Sequence, residues 1–169
     1  PSAEVEAENF GRLYQEHTPA LLNYCLYRVG DASAAEDLVA DTFERAWRAR
    51  RRYNPRRAEF ATWLFAIARH VVTDWLRRQA RRPAASLDER LPSPQLDPAA
   101  LAEEAGDQQR LRALVRALPA ADRELLACKF GAGLTNRQIA RLLGKSESAV
   151  GSAVYRLVQR LRLQWEETR

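Results

Sequence analysis

Apolar positions along this chain recur mostly at three- and four-residue spacing, the period of one face of an α-helix, and the pattern predicts an all-α protein. It is clearest from Thr135 to Arg162, TNRQIARLLGKSESAVGSAVYRLVQRLR, which predicts two helices across a tight turn. Thr135 is placed to cap the first, with Gln138 three residues on to reach back to the cap's own N–H, a capping box. Ile139, Leu142 and Leu143 make its apolar face, and Gly144 follows where a sharply ended helix needs positive φ. Ser146 caps the second helix, with apolar positions at Val150, Val154, Leu157, Val158 and Leu161. Ala140 falls where the helices come closest. This spacing of Ala140, Gly144 and Val150 is that of a helix-turn-helix, whose second helix lies in a DNA major groove. Its outward face carries Glu147, Ser148, Gly151, Ser152, Tyr155 and Arg156.

Further helical patterns precede this one. Asn9 to Val29 places Phe10, Leu13, Tyr14, Leu21, Leu22, Cys25, Leu26 and Val29 on one side, and Gly30 ends it. Pro19 predicts a break near His17, which is expected to be solvated there. From Asp31, the sequence DASAAEDLVADTFERAW predicts a helix capped by Ser33 with Glu36 as its box partner. Its buried stripe is Leu38, Val39, Thr42, Phe43, Ala46 and Trp47, while Glu36, Asp37, Asp41 and Glu44 line much of the rest. Asn54-Pro55 marks a turn, and Phe60 to Arg78 is a long helix with Trp63, Leu64, Ile67, Ala68, Val71, Val72 and Leu76 apolar. The pattern resumes from Asp107 with Leu111, Leu114, Val115 and Leu118, and a last helix from Ala120 to Phe130 is ended by Gly131 and Gly133.

Charge divides the chain. The net charge is +5, but from Arg48 to Arg82 eleven arginines face only Glu59 and Asp74. Pro83 to Asp107 holds six acids against Arg90 alone, with Pro83, Pro92, Pro94 and Pro98, and reads as an extended acidic tether between two small domains. An arginine block suits a polyanion, nucleic acid first and an anionic membrane surface second. Arginines beside Trp63 and Trp75 suit a single strand, whose bases stack on rings; tryptophans serving only the core are the other reading. An acidic helix face before the arginines is either solvated or a docking surface for a basic partner. No apolar run approaches the about 20 residues that span a bilayer, and the N-terminus is acidic, so a cytoplasmic protein without membrane insertion is expected. Cys25 and Cys128 lack ligand spacing and are expected as reduced core thiols. No metal cluster, phosphate-cradling loop or nucleophile with a paired base is visible, so neither catalytic residues nor a metal or cofactor are expected.

Four features in one order carry a resemblance: the acidic helix EDLVADTFERAW, the Arg/Asn/Pro loop leading into WLFAIARHVVTDWLRR, the acidic Pro-rich tether, and the helix-turn-helix. Together they resemble the extracytoplasmic-function (ECF) sigma factors of bacterial RNA polymerase, over nearly the whole chain. The resemblance implies a region 2-like domain over residues 1–82, a flexible linker over 83–106 and a region 4-like domain over 107–169. It implies docking on the clamp helices of the largest polymerase subunit through Asp37, Leu38, Asp41, Phe43 and Glu44, which mix core and docking roles, and on the flap of the second-largest subunit. It implies minus-ten recognition and melting, with capture of a flipped non-template base, by Arg52, Asn54, Arg56, Trp63, His70, Thr73, Asp74, Arg77 and Arg78. Minus-thirty-five duplex recognition falls to Lys145, Ser148, Gly151, Ser152, Tyr155 and Arg156. The linker takes the path toward the polymerase active centre and RNA exit, an anti-sigma protein is an implied partner, and the chain works at the nucleoid.

Two positions depart from the family pattern. His70 stands where Asn is common, which changes the donor pattern offered to a flipped base, and Gly151 stands where a basic residue is common. The resemblance implies a non-catalytic initiation factor that directs core polymerase to promoters. The alternative is a stand-alone helix-turn-helix regulator that binds duplex DNA unaided, with the N-terminal half as sensor or dimerisation domain. Core polymerase binding separates the two.

Overall fold

A computed structural model describes residues 7–81 and 98–167; the expected tether between residues 82 and 97 lies outside the described residues. The described part is all-α, as the spacing predicts: α1 (Ala7–Val29), α2 (Ala32–Ala49), a short 3₁₀ turn (Arg50–Arg52), α3 (Phe60–Ala80), α4 (Pro98–Ala117), α5 (Ala120–Leu126), a π-helical turn (Ala127–Gly131), α6 (Asn136–Leu143) and α7 (Glu147–Glu167). Residues 98–106, read from composition as the end of the tether, are the start of α4.

The first three helices share one core. Leu21, Tyr24 and Cys25 of α1, Leu38 and Phe43 of α2, and Leu64, Phe65, Val71 and Val72 of α3 are all buried. Pro19 does not break α1, which runs unbroken through it. Its ring lies on the exposed side, and Phe10 before it and Leu21 after it are both anchored in the core, so packing on either side outweighs the missing donor. His17 accordingly is not solvated at a break. It is half-buried with its ring 5.3 Å from that of Phe60, and burial lowers its pKa while Glu16 raises it. The cap of α2 also differs from expectation: Asp31 holds the position, its carboxylate accepting from the Ala34 N–H at 2.6 Å, and Ser33 is exposed inside the helix. Asp31 is as good a cap as Ser and directly follows Gly30, whose φ of +70° turns the chain out of α1.

The second group, α4 to α7, packs on the first. The π-helical turn replaces the last turn of the expected Ala120–Phe130 helix, with the Ala132 N–H reaching back to the Ala127 carbonyl at 2.8 Å. Gly131, expected as a helix stop, is instead a point of close backbone approach between the two groups. A Cβ there would stand 3.1 Å from the Tyr24 backbone and 3.0 Å from the Tyr27 ring. Only Gly133 takes positive φ in that loop, +66°. Cys25 and Cys128 are buried free thiols, and desolvation pushes each up to about 12. The two groups are also held by charge: Glu124 of α5 accepts from Arg28 of α1 at 2.9 Å and from Arg69 of α3 at 2.7 Å.

Candidate nucleic-acid interface

The loop before α3 is rigidly built. The Asn54 side-chain carbonyl accepts from the Arg56 N–H at 2.9 Å, and its backbone carbonyl accepts from Arg57 and Ala58, closing the turn that Asn-Pro predicts. Arg51, Arg52, Arg56 and Arg57 are exposed around it, whereas Arg50 is tied down, donating to the Trp47 carbonyl and lying 3.8 Å from the centroid of that ring.

Tyr53 and Trp63 form the wall of this loop, with centroids 5.0 Å apart, and both rings contact Phe60. Trp63 is half-buried, so it anchors the loop to the core and still presents an edge outward; Trp75 is half-buried too. Trp63, His70, Thr73, Asp74 and Arg77 follow at helical spacing along one stripe of α3, opposite the core stripe that contains Leu64, Ala68 and Val72, with Arg78 beside it. His70, Asp74, Arg77 and Arg78 are exposed and Thr73 partly so. Asp74 lies 3.8 Å from Arg77, a loose exposed pair that leaves the guanidinium available. The sequence points to Trp63 but not to Tyr53, whose aromatic ring just ahead of Asn-Pro was the available signal.

The helix-turn-helix forms as its caps predict. Thr135 accepts from the Gln138 N–H and Gln138 Oε1 accepts from the Thr135 N–H at 2.9 Å; Gly144 is left-handed at φ +65°; Ser146 accepts from the Ala149 N–H. Ile139, Ala140, Val150 and Leu157 are buried in its seam. Lys145, Ser148, Ser152, Tyr155 and Arg156 are all exposed, Tyr155 to 67%. Gly151 is partly covered, and a Cβ there would meet only the Asn136 amide, at 3.4 Å.

On α2, Leu38 and Phe43 are core residues, 3% and 4% exposed, while Asp37 and Glu44 are exposed and Asp41 is half-exposed. Asp41 pairs with Arg45 and Glu44 with Arg48, one turn on. The acidic face is thus partly neutralised by its own helix.

The helix-turn-helix and the arginine-bearing loop before α3 are linked in a way no local pattern reveals. The same Gln138 amide that closes the capping box through its oxygen donates through its nitrogen to Glu59 at 2.6 Å. Glu59 is the residue just before α3 and makes no cap bond of its own. The first helix of the helix-turn-helix therefore rests on the loop that carries the exposed arginines.

Residues 13–82 match the Sigma-70 region 2 family model and residues 108–161 the Sigma-70, region 4 model. The ECF RNA polymerase sigma factor SigL of Mycobacterium tuberculosis is 30% identical over 166 residues, which cover 98% of this chain and 94% of SigL. The chain belongs to the ECF sigma factors of the sigma-70 family. The ECF sigma factor BldN of Streptomyces coelicolor is 33% identical over 158 residues, and the match spans 92% of this chain but 60% of BldN. Among solved structures, the sigma factor RpoE in complex with the anti-sigma factor NepR from Bartonella quintana superimposes with a TM-score of 0.72 at 21% identity, covering 96% of this chain and all of that one. CnrH, in complex with the cytosolic domain of CnrY, does so with a TM-score of 0.69 at 25% identity, over 97% and 92% of the two chains. Membership in this family favours the initiation factor over the stand-alone regulator. None of the helices among the described residues is long and apolar enough to cross a membrane.

Proposed function

We propose that this ECF sigma factor binds core RNA polymerase through the acidic face of α2, takes the minus-ten strand on the outer stripe of α3 and its preceding loop, and lays α7 in the major groove of the minus-thirty-five element. It carries no catalysis of its own. The observation that supports this most is the separation of surfaces: exposed arginines and a half-buried aromatic wall around α3, and exposed hydroxyls with Arg156 on α7, in one chain that matches both sigma-70 regions. Exposed rings beside guanidiniums hold single strands, and short polar side chains near the start of a helix read base edges.

On this reading Leu38 and Phe43 support the docking face from beneath, while Asp37, Asp41 and Glu44 make the contact. Region 2 spans residues 1–82 and region 4 residues 107–169, the latter meeting the polymerase flap. Because RpoE from Bartonella quintana, which shares this fold, is solved in complex with the anti-sigma factor NepR, an anti-sigma partner belongs to the proposal.

Titration of the chain with core polymerase, followed by promoter-dependent run-off transcription, tests the proposal. Tight binding with new start sites is expected. Salt-sensitive duplex binding without any affinity for core would overturn it.

A further inference from the structure

Glu59, Thr62, Ala66 and Arg69 fall on one stripe at the start of α3, and the second group of helices holds both of its ends. The Gln138 amide of α6 donates to Glu59 at 2.6 Å, and Arg69 donates to Glu124 of α5 at 2.7 Å. Thr62 and Arg69 are followed directly by Trp63 and His70, so this line of contact runs beside the stripe assigned above to the minus-ten strand. A strand laid on that stripe would have α5 and α6 along its flank. Neither helix end needs the Gln138–Glu59 bond. The capping box closes through the Gln138 oxygen, and Glu59 makes no cap bond to α3. The bond's effect is to tie α6 to the loop of exposed arginines.

The packed arrangement is also too short for a promoter. Elements at minus ten and minus thirty-five lie about 25 base pairs apart, roughly 85 Å of duplex at about 3.4 Å per step. A compact body of 169 residues has a radius of gyration of about 15 Å. The two groups must part before both surfaces can touch one promoter. We propose that the Gln138–Glu59 bond is a catch: it holds α6 against the minus-ten loop, and the free chain thereby withholds its strand-binding stripe. The part played by the strand rests on the function proposed above; the packing equilibrium that the catch sets does not. A ligand that needs the parted form binds in proportion to the fraction of chains that are parted, so weakening the catch raises its apparent affinity.

Two variants of the full chain test this. Gln138→Glu keeps a capping-box residue three positions after Thr135, loses the amide donor and sets a second carboxylate against Glu59. Glu59→Gln combined with Gln138→Glu reverses the bond, an amide at 59 facing a carboxylate at 138, and leaves the net charge unchanged. The alkylation rate of Cys128, located by mass spectrometry, reports parting, because this thiol is 0% exposed on the π turn that packs on α1. Fluorescence anisotropy with a labelled oligothymidylate of about 20 nucleotides reports the stripe. Gln138→Glu should speed alkylation and tighten oligothymidylate binding, each about three- to tenfold. Its added negative charge alone would weaken binding to a polyanion, so a gain has to come from release. The double variant should return both readouts toward the parent. Circular dichroism checks helix content, and Glu59→Ala, which removes the acceptor, takes the place of Gln138→Glu in the alkylation arm if that variant loses helix. Unchanged alkylation, or a double variant that reacts as fast as the single, overturns the catch. Faster alkylation with unchanged oligothymidylate affinity overturns the covering of the stripe. No oligothymidylate binding by any form, the parent included, would overturn the proposed minus-ten surface, while faster alkylation would still uphold the catch.

Discussion

Arg28, in the last turn of α1, donates to Glu124 of α5 at 2.9 Å, and their side chains are only 7% and 15% exposed. This pair joins residues 96 positions apart, on helices that belong to different sigma regions. Arg69 donates to the same oxygen, and the Tyr24 hydroxyl accepts from Arg28 behind it. Removing Glu124 leaves a buried guanidinium uncompensated, which costs about 3–5 kcal/mol, whereas replacing both partners by apolar residues of similar volume is close to neutral. Glu124→Ala is therefore expected to loosen the two groups, seen as a larger radius of gyration in solution scattering and a lower urea midpoint. Arg28→Met with Glu124→Leu should restore much of both; a double variant no better than the single would show that the pair is not what joins the groups.

Gly131 and Gly151 give opposite expectations for the same substitution. At Gly131 a Cβ meets the Tyr24 backbone at 3.1 Å, so Gly131→Ala should cost about 1–3 kcal/mol by forcing α1 and the π turn apart. At Gly151 the nearest atom is the end of a flexible amide, and Gly151→Ala should gain up to about 1 kcal/mol from helix propensity. Chemical denaturation of the two variants side by side distinguishes a packing glycine from a permissive one.

Arg156→Ala should weaken minus-thirty-five duplex binding by about 1–3 kcal/mol while core polymerase binding is unchanged. Gly151→Arg should raise duplex affinity and steepen its salt dependence by about one phosphate contact. Fluorescence anisotropy with matched and scrambled duplexes measures both. Unchanged promoter discrimination in Arg156→Ala would move the reading surface off α7.

Asp41→Arg should reduce core polymerase affinity without unfolding the chain. Its pair with Arg45 is exposed, a class worth about 0–1 kcal/mol, so the fold does not depend on it. A normal holoenzyme in a native gel would place the docking face elsewhere on region 2.

The interface between the groups should fail in alkali. Burial raises the Cys25 and Cys128 thiols to about 12 from an ordinary 9.0 and raises Tyr24 as well, so the folded state holds these protons more tightly than the unfolded one. Their contribution is complete below about pH 9 and is lost as pH rises toward 12. His17 acts in the opposite direction: its lowered pKa favours the neutral ring, a contribution present above about pH 6.5 and lost on acidification. Urea midpoints measured across pH should fall at both ends, and Cys25→Ala with Cys128→Ala should flatten the alkaline limb.

Much of the secondary structure and the domain chemistry was legible in the sequence because both rest on neighbours in the chain. Thr135, Gln138, Gly144 and Ser146 cap and stop helices through bonds to residues three or four positions away, and the arginines around Asn54-Pro55 are adjacent in sequence. Local rules misled where tertiary packing outweighed them. Pro19 sits inside a continuous α1 because the core grips both sides of it, and Gly131 serves close approach rather than a turn. Only the folded chain decided that Tyr53 joins Trp63, and that Glu124 and the Gln138 amide bind the two sigma regions together. These are pairings between residues 10 to 96 positions apart, and their partners are fixed by where the helices pack rather than by any period in the sequence.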